Sequence, residues 1–137
     1  MTSLLLDTHC FVWLLLGCDE LNPKILASIE TAAREHHLTL SAVSVWEIGM
    51  LVSKQRLKVP RPIRQWIDEA LATPGLALAP LTADIAIEAT LLPGEFHGDG
   101  ADRFLAATAR VNGATIVTRD RRLLDYSKQG HIRAVAA

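Results

Sequence analysis

The chain has 137 residues, 50% of them hydrophobic and 21% charged, and its acids and bases nearly cancel to a formal net charge of -1. That length suits one domain burying roughly two-thirds of the surface its unfolded chain would expose, so no disulfide or metal staple is needed, and the charge favours no class of partner. The two cysteines, Cys10 and Cys18, share an apolar stretch with no Cys-x-x-Cys spacing and no second pair, which excludes a zinc centre and reads as small buried hydrophobes in a reducing compartment. The N-terminus lacks the basic region of a signal peptide, Asp7 and His9 interrupt its apolar run, and no other segment supplies the ~20 apolar residues of a membrane helix. A soluble cytoplasmic protein without membrane attachment is expected.

In chain order, apolar runs bounded by turn or capping residues predict a first strand near Ser3 to Leu6. Asn22-Pro23, a cap followed by proline at the first helical position, opens a helix to about Glu35. A second strand at Leu38 to Ser41 leads into helices at Ser44 to Val52 and Pro62 to Ala72, and a third strand at Leu76 to Pro80 into a helix at Thr82 to Leu92. The next helix, Asp99 to Asn112, ends at the C-cap signal Gly113. A fourth strand at Thr115 to Thr118, a short helix at Arg119 to Tyr126 and a short strand at Ile132 to Val135 complete the pattern. Such alternation specifies an α/β fold with a parallel sheet of about five strands and helices on both faces.

Four acids, Asp7, Glu47, Asp102 and Asp120, stand where a predicted strand has ended or a helix begins. Right-handed crossovers bring those positions to one edge of a parallel sheet, and ligands bind outside the carboxyl ends of the strands. The two-helix connection from Thr82 to Asn112 is long enough to cross the sheet, which sets Asp7 and Asp120 face to face at a switch point between the first and fourth strands. Two unit charges 4 Å apart repel by ~4 kcal/mol at an effective dielectric of about 20, so gathered carboxylates call for a positive partner. Oxygen donors with little nitrogen or sulfur suit Mg²⁺ or Mn²⁺, one ion or two, and such ions activate water for in-line attack on a phosphodiester. Thr8 and Thr118 are placed to hold carboxylates through their hydroxyls.

Each acid also has a structural reading: Ser44-x-x-Glu47 fits a capping box, Asp99 and Asp102 a cap and first-turn acid, Asp120 a cap for the last helix. Asp7, directly after Leu4-Leu5-Leu6, fits that reading least, because an unpaired buried charge is costly. Basic residues gather at 54 to 64 and from 101 onward, and Lys54, Arg56, Arg119, Arg121 and Arg122 are the candidate contacts for the phosphates of a polyanion. His9 reads as a helix-start residue packed on the sheet rather than a general base.

The ordered segments Leu4-Leu5-Leu6-Asp7-Thr8-His9, Ser41-Ala42-Val43-Ser44-Val45-Trp46-Glu47-Ile48, His97-Gly98-Asp99-Gly100-Ala101-Asp102-Arg103 and Thr115-Ile116-Val117-Thr118-Arg119-Asp120 resemble the successive motifs of a PIN domain of the VapC toxin type. The resemblance covers nearly the whole chain and implies a single PIN domain over 1–137, a three-layer α/β/α sandwich. It further implies an Mg²⁺- or Mn²⁺-dependent endoribonuclease that is homodimeric and held inactive by a cognate antitoxin inserting a segment near the acidic pocket. By the same resemblance Asp7, Glu47, Asp102 and Asp120 are the catalytic and metal-binding quartet, Asp99 is a further acid serving a second metal, and Thr118 is the family's hydroxyl residue. Gly100 stands where relatives often have proline, which loosens the loop around Asp99.

Two other classes share some of these features. A phosphoryl-transfer or receiver-type signalling domain also has an acidic crevice on a parallel sheet, but it wants a lysine after a late strand, where this chain has arginines. A non-catalytic interaction module would use the acids only as caps and present Trp13, Trp46, Trp66, Leu14 to Leu16 and the Ile25 to Ile29 stripe to a partner; the plain alternative for those residues is core packing.

Overall fold

The computed structural model describes residues 3–17 and 20–137, and the expectation for Cys18 lies outside the described residues. Five strands, β1 (Leu4–Leu6), β2 (Leu38–Ser41), β3 (Leu76–Ala79), β4 (Thr115–Thr118) and β5 (Arg133–Ala136), form one sheet in the order β3-β2-β1-β4-β5. Every pairing is parallel. The helices among the described residues are α1 (Thr8–Leu16), α2 (Pro23–Arg34), α3 (Ala42–Ser53), α4 (Ile63–Leu71), α5 (Ala83–Thr90), α6 (Gly100–Asn112) and α7 (Arg121–Lys128). None is long and apolar enough to cross a membrane.

The sheet is buried on both faces, which explains why its central strands read as continuous apolar runs rather than alternating ones. On one face Leu6, Leu38, Leu40 and Val117 pack with Phe11 of α1, Ile29 of α2, Ile48 of α3 and Trp66 and Ala70 of α4. On the other, Leu5 and Ile116 pack with Leu105, Ala106 and Ala109 of α6 and with Leu123 and Tyr126 of α7. Ile85 and Ala89 of α5 rest on Ala107 of α6, outside the sheet. The result is the three-layer α/β/α sandwich expected from the sequence.

The path from β3, at one edge, to β4, beside β1, runs through α5 and α6 as the crossover length required. It is tied down by Arg103 Nε donating to the Ala89 carbonyl at 2.9 Å and by the Tyr126 hydroxyl donating to the Pro93 carbonyl at 2.5 Å. The chain therefore reverses direction across the sheet between β1 and β4, and that reversal opens a crevice at their carboxyl ends. A receiver-type doubly wound sheet has the order 2-1-3-4-5; the order found here sets that alternative aside.

Of the departures from the expected limits, three bear on the crevice. α1 has no expected limits because Phe11 to Leu16 is apolar all round and shows no helical period; the helix is set by Asp7 capping one end and Gly17, at φ 69°, closing the other. α3 begins at Ala42 with Ser41 as its cap, so Ser44 and Glu47 lie inside the helix and the Ser44-x-x-Glu47 capping box does not form. α7 begins at Arg121, two residues late, because Asp120 is its cap.

Most of the proposed partner surface is core: Trp66 is buried, and Trp13, Leu14, Leu15 and Ile25 pack against the same cluster as Ile29. Trp46, 59% exposed, and Leu16, 37% exposed, are the exceptions. Cys10 is a buried free thiol whose pKa burial pushes up to about 12, as its reading as a small hydrophobe requires.

Gly75, at φ 82° in the turn from α4 to β3, lies so close to α2 that a Cβ there would run into the Ala33 carbonyl. Both the backbone conformation and the space demand glycine. Gly75→Ala is expected to cost more than about 2 kcal/mol, read as a lower urea midpoint with unchanged slope.

Candidate active site

Each strand that ends at the crevice passes straight into a helix, and this places the acids. Asp7 follows β1; its backbone N–H donates to the Val117 carbonyl at 3.0 Å, extending the β1–β4 ladder by one rung. The extension holds Asp7 beside Thr118, whose hydroxyl donates to Asp7 Oδ2 at 2.6 Å. The other oxygen, Oδ1, accepts the Thr8 N–H at 2.7 Å and caps α1. Asp120, two residues beyond β4, caps α7 by accepting the Arg122 N–H on Oδ1 at 2.8 Å, and its own N–H donates to Thr118 Oγ1 at 2.9 Å. Thr118 thus joins the two acids across the switch point.

Glu47 projects from the second turn of α3. Thr8 Oγ1 lies 2.6 Å from Glu47 Oε1 and 2.8 Å from Ser44 Oγ. An ionised carboxylate only accepts, so the single Thr8 proton goes to Glu47 and Ser44 donates to Thr8. Asp99 caps α6, accepting the Asp102 N–H on Oδ1 at 2.9 Å, and Asp102 sits in that helix's first turn, 8% exposed.

These five carboxylates, Asp7, Glu47, Asp99, Asp102 and Asp120, line one cavity of about 350 Å³. His9, Trp13, Arg119 and Arg122 complete its wall. Four helix N-termini, those of α1, α3, α6 and α7, end around it, and their partial positive charge is the protein's own compensation for so many acids. Beside it lies a more apolar cavity of about 610 Å³, bounded by Trp46, Leu81 and Phe104 and sharing Glu47 and Asp99 with the first. A third cavity of about 400 Å³ sits at the opposite end of α6, but its one acid, Glu88, is already paired with Arg110 at 2.7 Å.

Of the candidate RNA contacts, Arg119 and Arg122 line the acidic cavity, whereas Arg121, exposed on the first turn of α7, does not. Lys54 and Arg56 are not brought to the cavity either. Lys54 caps the C-terminus of α3, about 18 Å along from the end that faces the site, and Arg56 lies beyond it. His9 starts α1 as expected but does not pack on the sheet: it is exposed and lines the cavity, as does Trp13, which was expected in the core or on a partner surface. Their spacing of four on a helix capped by Asp7 is the signal that would have placed them beside it.

Electrostatically the site is short of positive charge. Among the described residues Asp7, Glu47 and Asp102 make no ion pair; Arg122 Nε lies 3.5 Å from Asp120 Oδ1, and Arg119 is paired with Glu20. Burial raises the Asp7 pKa, opposed by the bonds from Thr118 and Thr8, with Asp120 adding a smaller upward push. Burial raises Glu47 too, with Asp7 and Asp99 contributing. Asp102 is pushed up to about 7 by burial first and then by Asp99, Asp120 and Asp7.

The donor set fits a hard divalent cation: all carboxylate oxygen, held by hydroxyls and backbone N–H groups rather than by bases, and repelling one another. Among the described residues no three His, Cys, Asp or Glu side chains already close into a ligand set, as mutual repulsion dictates.

A family model of the PIN domain matches residues 4–129. The chain belongs to the PIN-domain family. It is 34% identical over 131 residues to Ribonuclease VapC22 of Mycobacterium tuberculosis, covering 92% of this chain and 93% of that protein. The fold is similar to VapBC2 from Rickettsia felis, solved with a promoter DNA fragment (TM-score 0.72, 18% identity, 98% of each chain). It is also similar to a toxin-antitoxin complex from Klebsiella pneumoniae (TM-score 0.61, 18% identity, 88% of this chain and 90% of that one). The acidic cavity of this PIN-domain protein is formed by the ends of β1 and β4 and the starts of α1, α3, α6 and α7.

Two predictions follow from the hydrogen bonds and charges of this PIN domain. Because the folded-state pKa of Asp102 exceeds its unfolded value, the native state binds the extra proton between about pH 4 and pH 7, and stability falls as pH rises through that window. Without divalent ions, the wild type minus Asp102→Asn stability difference should grow against the wild type by a few kcal/mol from pH 4.5 to pH 8, and Mn²⁺ should reverse the trend. A difference flat with pH would refute the raised pKa. Thr118→Val leaves the Asp120 N–H and Asp7 Oδ2 without their shared partner and should cost about 1–3 kcal/mol in chemical denaturation.

Proposed function

We propose that this PIN-domain protein is a metal-dependent endoribonuclease, the toxin of a toxin-antitoxin pair, formed by a single domain over residues 1–137. The observation that carries the reading is the convergence of Asp7, Glu47, Asp102 and Asp120 on one cavity, with no basic partner for the first three among the described residues. The 34% identity with a protein named as a ribonuclease supports the choice of RNA, and the fold shared with a toxin-antitoxin complex supports the biological role.

In this reading Asp7, Glu47, Asp102 and Asp120 hold Mg²⁺ or Mn²⁺, with Asp99 available to a second ion; bound there, the ion supplies water activation and balances the phosphate charge. The remaining work belongs to the chain. Thr118 fixes Asp7 and the start of α7 relative to each other, and Thr8, braced by Ser44, fixes Glu47. The helix N-termini favour an approaching phosphodiester through their dipoles. Arg122, at the cavity, and Arg121, exposed beside it, are candidate contacts for RNA phosphates, while Lys54 and Arg56 would meet only RNA extending well beyond the cut. An antitoxin segment occupying the acidic cavity would inhibit by exclusion, and the active protein is proposed to be a cytoplasmic homodimer.

Purified protein incubated with a structured RNA pool should cut it with Mn²⁺ or Mg²⁺ and not with chelator. Asp7→Asn and Asp102→Asn, folded as judged by circular dichroism, should each lower the rate by at least ~100-fold, the scale expected when a group acting in the transition state is removed. Undiminished metal-dependent cutting by either variant would refute the assignment.

A further inference from the structure

Arg119 and Arg122 both line the cavity, yet they are held differently. Arg119 Nε donates to the backbone oxygen of Ala137 at 3.1 Å and Nη1 donates to Glu20 Oε2 at 3.2 Å. Its guanidinium carbon lies 4.9 Å from the centroid of the Trp13 ring, and the His9 and Trp13 ring centroids are 6.1 Å apart. Two hydrogen bonds and the neighbouring Trp13 ring restrain the guanidinium. The side chain remains 41% exposed.

A phosphate ligand needs the opposite arrangement. Bidentate capture of a phosphate uses paired in-plane N–H donors and an uncompensated charge. In Arg119 two in-plane donors are taken and Glu20 offsets the charge. Beside the acids this leaves the three other N–H donors and a flat, weakly hydrated surface, and unpaired bases stack on guanidinium planes as they do on aromatic rings. We propose that Arg119, backed by Trp13, is a stacking platform for the base of a nucleotide adjoining the scissile phosphate, and so a specificity-determining residue rather than a phosphate ligand. This rests on the ribonuclease reading. Arg122, whose only ion pair among the described residues is the 3.5 Å contact with Asp120, keeps the phosphate role.

The test begins with a cut mapped in structured RNA. A short oligoribonucleotide spanning it is compared with two versions made abasic at the nucleotide on either side of the cut, for wild type, Arg119→Lys and Arg119→Ala. Loss of stacking on one base is worth about tenfold. One abasic change should raise KM by about tenfold in the wild type, both variants should raise KM on the intact oligonucleotide to the same extent with kcat within about twofold, and the abasic change should then add nothing further. Lysine in place of arginine keeps the charge and loses the plane, so a lysine variant matching the wild type overturns the platform. Losses that multiply, or a wild type indifferent to both abasic changes, overturn it as well. Should Arg119→Ala fail to fold, the lysine variant and the wild-type abasic comparison still decide. A wild type that shows no metal-dependent cutting overturns the ribonuclease reading itself, and the platform with it.

Discussion

The side-by-side pairing of β1 and β4 governs this structure, because it forces an acid at the end of one strand against the start of a helix at the end of the other. Leu6 pairs with Val117, the ladder continues through the Asp7 N–H, and Thr118 is left within 2.6 Å of the Asp7 carboxylate. Once Asp7 and Thr118 are fixed, Asp120 follows through the bond between its N–H and the Thr118 hydroxyl. α1 and α7 then start from these two acids. The crossover through α5 and α6 exists to make that pairing possible, and it delivers Asp99 and Asp102 to the same crevice.

Capping and site-building turn out not to compete. A carboxylate has two oxygens, and Asp7, Asp99 and Asp120 each use Oδ1 on a helix N-terminus. Each cap contributes on the order of 1 kcal/mol, which offsets part of the cost of holding like charges together. The second oxygen of each remains for another partner, which for Asp7 is the Thr118 hydroxyl. Glu47 and Asp102 are not caps, and both have raised pKa values, Asp102 to about 7. Capping therefore accounts for three of the five acids and a place in the first turn of α6 for Asp102, which leaves Glu47 without a local structural role.

The strands and the acids were legible because they depend on short-range rules. Leu38 to Ser41 and Thr115 to Thr118 are apolar runs ended by hydroxyl residues, and both strands have the limits expected. α1 was not legible by period, since an apolar run buried on most sides has no polar face to mark it. The start of α3 was misplaced because serine stands at both 41 and 44, and only the packing of Val43 and Ser44 into the interior selects the earlier cap. Lys54 and Arg56 were grouped with the site by charge alone, whereas the direction of α3 carries them away from it.

What the sequence determined by itself was the order of the strands and helices, the acids at their junctions and, through the resemblance of its motifs, the PIN fold. These are set by hydrophobic runs, caps and spacing, all of which act over a few residues. The tertiary structure alone decided which side chains share the cavity wall. Arg119 meets Glu20 and the Trp13 ring across about a hundred residues of chain. Such contacts depend on where the faces of the helices come to rest once the sheet is covered, and no local pattern records that.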